Sequence, residues 1–375
     1  MRVPIRRTGR VACCALMALL MAAALPRAAA APSASSAPEI PFAERYRAVQ
    51  HGGIARAANS SITCRATATA SAAPCPTAQG GKGVNGDYEM FYIDVDDDPN
   101  TYNSSRAHLG LPAGSRVSYA RLYWGGNLRV GEQKPHKDNG RVLVAEPGGS
   151  YREVLADTLT GHRTTRRTDA YQASADVTAL VRDSGPGVYT VAQLNVAMGH
   201  SAAGAWGGWT LVVAYENKNE PLRQLALWDG FQPLTERRTA HRVTMTDLDL
   251  AADGRGSAGM VAYNGDRGTG GDTLSVASGK RAPVRLRNSA NPVTDVMNST
   301  ISDHGKNVAQ REPAYRNTLG YDSDVFDVSS ALTRRSDSLT FTFGTRDEGY
   351  LAGVLYLAAD ADGRRARGER HADRS

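Results

Sequence analysis

Short apolar segments dominate this sequence, and Gly, Asn, Asp or Pro separates each segment from the next. Several segments alternate apolar and polar residues as a half-buried strand does, for example LTFTF at 339–343. Long helical periodicity is missing, and only 173–182 suits a short helix, which Asp176 is placed to cap. The pattern therefore predicts an all-β protein of sandwich or jelly-roll type.

The two halves of the sequence also resemble each other. Five segments recur in the same order at offsets of about 130 to 150 residues, and each half carries an Asp-Val-Thr/Ser turn, at 176–178 and 327–329. We infer an internal duplication, with Tyr123 and Tyr263 on equivalent strands and a boundary near 232–238. The predicted parts are a signal peptide at 1–30, a flexible lead-in at 31–51, β-sandwiches at 52–234 and 235–360, and a basic disordered tail at 361–375.

The N-terminus has the pattern of an export signal. Four arginines precede an uncharged apolar run from Val11 to Leu25, and a small-residue stretch at 28–31 follows this run. The run is too short for a comfortable membrane span, and no second run follows it. We therefore expect a secreted, extracellular product without a membrane span.

The formal net charge of +6 does not indicate a nucleic-acid partner. Residues 1–30 carry five Arg and no acid, and the tail 363–375 has a net charge of +3, which leaves −2 for 31–362. Because the folded part is slightly acidic, the main argument for DNA or RNA binding is removed.

Cys64 and Cys75 are the only cysteines beyond the predicted signal peptide. In an oxidising compartment, two cysteines that close a short loop most simply form one disulfide. A zinc site would need further ligands at regular spacing, which the sequence lacks.

Several long motifs resemble an uncharacterised domain of actinobacterial exported and cell-surface proteins. The motifs cover roughly 52–360 and lie at 90–126, 205–232, 263–276 (YNGDRGTGGDTLSV), 298–302 (NSTIS) and 317–330 (NTLGYDSDVFDVSS). The resemblance implies an extracellular compartment and a β fold, and no particular activity. In many family members this domain stands before stalk repeats and a wall anchor. This sequence shows neither, so we expect a released protein.

An acidic segment is the strongest polar motif. Carboxylates at alternate positions of a strand point the same way, and such hard oxygen ligands suit Ca²⁺. The second half can add two further carboxylates if the sandwiches pack side by side. The alternative is a solvated acidic strand end at a turn. The residues predicted to bind Ca²⁺ are Asp94, Asp96, Asp98, Asn103, Asp322 and Asp324.

Two of the four tryptophans are candidates for ligand contact. Trp124 and Trp206 stand next to glycines, as exposed platforms for sugar rings often do. The alternative is that they fill the core, which is what we expect of Trp209 and Trp228 because these two lie within strand-like runs.

No residue pattern supplies a nucleophile together with its base. GHSAA at 199–203 nearly matches the elbow motif of α/β-hydrolases, but its β-rich context does not fit that motif. We expect a secreted protein with a binding, adhesion or structural role, stabilised by Ca²⁺, whose partner is a cell-wall or extracellular glycan or protein. The competing hypothesis is an extracellular hydrolase acting on glycan or glycopeptide, with Glu89 and the aspartates in a cleft between two jelly rolls.

Overall fold

The computed structural model describes residues 40–165, 167–347 and 349–363. Within these residues the chain forms 22 β-strands and two short α-helices, which confirms the predicted all-β class. The predicted signal peptide, residues 31–39 of the lead-in and the tail from residue 364 lie outside the described residues.

The strands are numbered in chain order. The first twelve are β1 (Ile40–Ser60), β2 (Ile62–Thr67), β3 (Tyr88–Tyr92), β4 (Ser104–Leu109), β5 (Arg116–Asn127), β6 (Arg141–Ala145), β7 (Arg152–Leu155), β8 (Thr158–Thr164), β9 (Asp169–Asp176), β10 (Gly187–Ala192), β11 (Gly207–Glu216) and β12 (Leu222–Leu234). The others are β13 (Ala240–Met245), β14 (Gly256–Tyr263), β15 (Thr273–Ser278), β16 (Val284–Arg285), β17 (Ile301–Asp303), β18 (Lys306–Asn307), β19 (Arg311–Glu312), β20 (Tyr321–Asp327), β21 (Leu339–Gly344) and β22 (Tyr350–Asp360). The helices are α1 (Cys75–Gly80) and α2 (Thr178–Ser184).

The strands are arranged in four main layers. The first layer is the sheet β19-β4-β10-β6-β7, and the fourth is the sheet β13-β21-β15-β16. Between them lie the groups β11-β5-β9-β8 and β18-β17-β20-β14-β22-β12, which β1 joins into one sheet. Residues 40–51 of β1 pair with β12, and residues 52–60 of β1 pair with β11.

Three buried apolar clusters fill the spaces between successive layers. Leu122 and Trp124 on one face of β5 belong to the first cluster, whereas Tyr123 on its other face belongs to the middle cluster. Likewise, Met260 of β14 belongs to the third cluster and Val261 to the middle one. The central strands of the two inner layers are therefore buried on both faces.

β1 begins at Ile40, inside the segment whose composition predicts a flexible lead-in. Residues 40–51 are strand because they pair with β12, and Arg45 forms an ion pair with buried Asp229 at 2.7 Å. Backbone hydrogen bonds to β1 thus link the group that contains β11 to the group that contains β12.

The two halves share part of their strand order. β22, β14 and β20 follow one another in the second half as β11, β5 and β9 do in the first, and β13-β21-β15-β16 matches β4-β10-β6-β7. The turns after β9 and β20 also agree. Asp176 accepts a hydrogen bond from the Thr178 N–H at 2.9 Å, and Asp327 accepts one from the Ser329 N–H at 2.8 Å.

The segment predicted to be a helix, 173–182, is only partly helical. Its first four residues end strand β9, and α2 begins at Thr178. Ala173 and Ala175 are buried in the first cluster, so strand pairing and packing decide the conformation of this alanine-rich segment.

Polar side chains cross the junction between the two inner layers. Gln172 of β9 donates to the Gly230 and Gly353 carbonyls at 3.0 and 3.2 Å and accepts from the Tyr263 hydroxyl at 2.9 Å. The layers approach closely at Gly208, where a Cβ atom would lie 2.7 Å from the ring of Tyr321. The hydrogen bonds satisfy groups that would otherwise be costly to bury.

The structure confirms the predicted disulfide between Cys64 of β2 and Cys75 at the start of α1. We expect the Cys64→Ser/Cys75→Ser double variant to lower the free energy of unfolding by about 2–3 kcal/mol, because the bond restricts the unfolded chain. Denaturant titration of both proteins measures this difference. Thiol titration of the unreduced, denatured wild-type protein should find no reactive thiol from this pair, and a stoichiometric thiol would contradict the bond.

Candidate functional site

Three of the sequence motifs meet at one end of the second sandwich. Asp272, from the motif at 263–276, accepts a hydrogen bond from the Met297 N–H at 3.0 Å. Asp322, from the motif at 317–330, accepts one from the Thr300 N–H at 3.0 Å. Buried carboxylates thus hold the loop that leads into β17, which contains the NSTIS motif.

Strand pairing explains why this loop reaches Asp324. β17 runs parallel to β20, with Ser302 opposite Asp324. Oδ1 of Asp324 accepts hydrogen bonds from the Ser302 N–H at 2.8 Å and from the Ser302 hydroxyl at 2.6 Å. Asp322 and Asp324 are two residues apart on one strand, so both carboxyl groups lie on the same face.

The hydroxyl of Thr300 lies among oxygen atoms. Oδ1 of Asn291 is 2.8 Å from Thr300 Oγ1, and Oδ1 of Asn298 is 2.9 Å from it. The two carboxylate oxygens of Asp324 lie at 3.1 and 3.2 Å. All four side chains are buried, with at most 3% of each residue exposed. We call these residues, Asn291, Asn298, Thr300 and Asp324, the oxygen cluster.

Both aspartates of β20 are strongly perturbed. Burial, followed by the charge of Asp324, raises the pKa of Asp322 well above its usual value. Burial also raises the pKa of Asp324 to about 6, although hydrogen bonds from Ser302 and the charge of Arg56 oppose this shift. Oδ2 of Asp322 is buried and has no hydrogen-bond partner among the described residues.

A cavity of about 300 Å³ adjoins the oxygen cluster. Thr300 and Ser302 form part of its wall, and Arg267, Arg316 and Asn307 also line it. Arg267 Nη1 donates to the Arg316 carbonyl at 2.8 Å, whereas the Arg316 guanidinium contacts none of the described residues through a hydrogen bond or ion pair. We call this space the Arg267–Arg316 cavity.

A second cavity, of about 330 Å³, lies against the outer layer formed by β4, β10 and β19. Its lining combines the exposed Val188 with polar residues, among which Arg106 and Glu312 are paired at 3.5 Å. Because Arg106 and Glu312 are paired with each other, these two groups are less available to a polar ligand than the Arg316 guanidinium of the Arg267–Arg316 cavity.

The predicted acidic segment forms a loop before β4, and its carboxylates have hydrogen-bond donors. Ser104 Oγ donates to Asp94 at 2.8 Å, and the Asn100 N–H donates to Asp98 at 2.9 Å. Burial alone would raise the pKa of Asp96, but hydrogen bonds led by that from Tyr151 hold this pKa below its usual value. These carboxylates are therefore already hydrogen-bonded within the protein.

Asn103 is fully buried and serves the backbone. Its amide donates to the Leu194 carbonyl at 2.8 Å, and its Oδ1 accepts from the Leu194 N–H at 3.0 Å. Asp94, Asp96 and Asp98 share no hydrogen-bond partner with Asp322 and Asp324 among the described residues, so no hydrogen bond connects the two predicted groups of carboxylates. In the described parts of the chain, no three or more His, Cys, Asp or Glu residues are grouped so that they could hold a metal ion.

The tryptophans proposed as ligand platforms lie in the interior. Trp124 and Trp206 are both 0% exposed, and Trp124 Nε1 donates to the Asn139 carbonyl at 2.8 Å. The ring of Trp206 lies 5.6 Å from that of Tyr263. These aromatic rings fill space between layers, so neither is an exposed surface for a sugar.

Glu89, the carboxylate suggested for catalysis, is half-exposed on β3. It forms an ion pair with Arg65 at 2.6 Å, and the same arginine lies over the Phe91 ring at 4.7 Å. Sequence reasoning missed Asn291 and the two cavity arginines. The positions of the two arginines could have indicated them. Arg267 lies within the motif at 263–276, and Arg316 directly precedes the motif at 317–330. Among the described helices, none is long and apolar enough to cross a membrane.

Comparisons with known proteins give a family and distant structural likenesses. A family model described as a protein of unknown function (DUF3344) matches residues 77–359. No curated protein sequence matches the chain significantly.

The chain is similar to a solved structure of Sulfolobus Turreted Icosahedral Virus, at 11% identity and a TM-score of 0.23, over 68% of this chain and 86% of that chain. It is similar to the major capsid protein P2 of bacteriophage PM2, at 14% identity and a TM-score of 0.19, over 72% and 97% of the two chains. A third similar structure is quercetin 2,3-dioxygenase from Acinetobacter baumannii, at 8% identity and a TM-score of 0.20, over 84% and 87%. Such low TM-scores carry no argument about function.

Proposed function

The chain belongs to the DUF3344 family of proteins of unknown function, and we propose that it is a secreted, non-catalytic protein that binds a polar extracellular ligand in the Arg267–Arg316 cavity. The observation that carries this proposal is the contrast between the cavity and the carboxylates beside it. Arginine guanidinium groups line the cavity, whereas Asp322 and Asp324 are fully buried.

The cavity suits a hydroxyl-rich ligand that carries negative charge. Guanidinium groups present several donors to carboxylate, phosphate or hydroxyl oxygens. The Arg316 guanidinium has no hydrogen bond or ion pair to a described residue, so its donors are available to such a ligand. A volume of about 300 Å³ is at the lower end of the range for small-ligand pockets and suits one sugar residue.

The finer features of the proposal rest on separate observations. Export is supported by the n-region and apolar run of 1–30, and the family resemblance favours an actinobacterial cell-surface setting. Duplication of a jelly-roll-like sandwich is supported by the matching order of β11-β5-β9 with β22-β14-β20 and of β4-β10-β6-β7 with β13-β21-β15-β16.

The alternative, an extracellular glycan or glycopeptide hydrolase, has less support. Such an enzyme needs two carboxyl groups that reach the substrate from opposite sides of the scissile bond. Glu89 is paired with Arg65, and the β20 aspartates are covered by the loop that leads into β17. These residues therefore lack the accessible pair that acid–base hydrolysis requires.

The experiment is a glycan array followed by titration with the ligand that binds best. We expect Arg316→Ala to weaken binding at least about tenfold, because a charge-assisted hydrogen bond contributes about 1.5–3 kcal/mol. Arg285→Ala is the matched control, since Arg285 is an exposed arginine on β16 outside this cavity. Equal binding by Arg316→Ala and wild type would contradict the cavity, and release of cleaved product would contradict a non-catalytic role.

A further inference from the structure

The oxygen cluster contains more acceptors than hydrogen atoms. Thr300 Oγ1 carries one hydrogen, yet four side-chain oxygens from three residues lie within 3.2 Å of it. One hydrogen can serve only one of these oxygens well. Asp324 Oδ1 has further donors in the Ser302 N–H and hydroxyl. The two amide oxygens and Asp324 Oδ2 share only the Thr300 hydrogen among the described residues, which is costly in the protein interior unless a cation lies among them.

The amide oxygens cannot be turned away from Thr300 without loss. Asn298 Nδ2 donates to the Ala290 carbonyl at 2.9 Å, and a carbonyl oxygen only accepts, so Asn298 Oδ1 must face Thr300. Asn291 Nδ2 donates to Ser302 Oγ at 3.1 Å. Ser302 Oγ already donates to Asp324, so it accepts from Asn291, and this fixes Asn291 Oδ1 toward Thr300 as well.

Asp324 Oδ2, in the oxygen cluster, lacks a donor of its own among the described residues. Its Oδ1 accepts from the Ser302 N–H and hydroxyl, whereas the one donor near its Oδ2 is the shared Thr300 hydroxyl at 3.2 Å. Asp324 is 0% exposed, so water at the protein surface does not solvate this oxygen. The nearby Asp322 adds a second buried carboxylate oxygen, Oδ2, with no partner among the described residues.

We propose that the oxygen cluster is a Ca²⁺ site, with the Asp324 carboxylate and the side-chain oxygens of Asn291, Asn298 and Thr300 as protein ligands. Ca²⁺ takes six to eight oxygen ligands and accepts neutral amide and hydroxyl oxygens beside a carboxylate. Water completes the coordination from the Arg267–Arg316 cavity, which Thr300 also lines. With one carboxylate in the protein ligand set, the dissociation constant should be on the order of 10⁻⁴–10⁻³ M, as in extracellular modules.

This site shares only Asp324 with the ligand set predicted from sequence, and it does not depend on ligand binding in the cavity. A site of one carboxylate with neutral oxygens does not require the grouping of several acidic residues. Its function is to fix the loop that leads into β17 against β20. The ion thus stabilises the native state by mass action.

Titration calorimetry of the metal-free protein with CaCl₂ should show one ion bound per chain. At a Ca²⁺ concentration ten times the dissociation constant, the melting temperature should rise by roughly 2–4 °C, and chelator should reverse the rise. Absence of binding at 10 mM Ca²⁺ would overturn the proposal. Equal affinity for Mg²⁺ would also overturn it, because Mg²⁺ demands a tighter octahedral site.

Three variants locate the site. Thr300→Val removes one ligand oxygen at nearly constant volume and should abolish the heat of binding, whereas Thr300→Ser keeps the oxygen and should bind. Asp96→Asn alters the acidic segment and should bind as the wild type does. Loss of binding in Asp96→Asn with full binding in Thr300→Val would overturn the assignment. The wild-type titration remains decisive if Thr300→Val fails to fold.

Discussion

Asp229→Ala should lower the free energy of unfolding by about 3–5 kcal/mol, because it leaves the partly buried Arg45 guanidinium and the buried Tyr123 hydroxyl without their shared acceptor. Asp229 is 0% exposed and accepts from Arg45 Nε at 2.7 Å and from the Tyr123 hydroxyl at 3.0 Å. Arg121, on the same strand as Tyr123, lies 3.9 Å away and is itself buried. The carboxylate therefore connects β12 and β1 to β5 across the junction of the two inner layers.

The measurement is denaturant unfolding of the wild type and the variant. The midpoints of the two transitions are compared, provided that the free energy of unfolding depends on denaturant concentration with the same slope in both proteins. Glu153→Ala is the matched control, because Glu153 forms an exposed ion pair with Arg141 at 2.5 Å. Exposed pairs contribute about 0–1 kcal/mol, so this control should unfold almost as the wild type does. A cost below about 1 kcal/mol for Asp229→Ala would mean that the junction does not depend on this carboxylate.

Local sequence patterns were sufficient to predict the class of the fold. Alternation in LTFTF at 339–343 corresponds to β21, where Leu339, Phe341 and Phe343 are buried and the two threonines are partly exposed. The disulfide was also predictable, because it needed only the number of cysteines and a compartment. Both inferences depend on residues that are close in the chain.

Features that depend on long-range pairing could not be predicted in this way. Residues 40–51 have the composition of a linker, yet they are strand because β12, about 180 residues later, pairs with them. The oxygen cluster has the same origin. Asn291 and Asp324 are 33 positions apart, and the parallel pairing of β17 with β20 brings their loop and strand together. No local pattern specifies such pairing.

Trp206 shows why a tryptophan beside glycines was ambiguous. Small neighbours allow an indole ring to lie on a surface, but they also allow another backbone to approach it closely. Here Gly320 lies so near that a Cβ atom on it would be 2.5 Å from Trp206 Cβ. Sequence spacing does not distinguish the two situations, since the approaching glycine is more than 100 positions away.

Trp206→Ala should therefore be a stability variant, with a loss of about 3–5 kcal/mol in the free energy of unfolding. The ring is 0% exposed and packs in the middle cluster beside Tyr263, so its removal leaves a cavity where the two halves meet. Trp206→Phe should cost less, because it keeps much of the volume and removes an indole N–H that has no partner among the described residues.

Denaturant titration measures the free energy of unfolding of both variants. The control is Trp228→Ala, because Trp228 is a partly exposed tryptophan of β12. The control should lose less stability, because truncation at a partly exposed site leaves a smaller enclosed cavity. Binding to the best glycan should be unchanged in folded Trp206→Phe, since this ring lies outside the Arg267–Arg316 cavity. If Trp206→Ala kept its stability but lost glycan binding, Trp206 would be an exposed platform for the ligand. That result would contradict its packing between the layers.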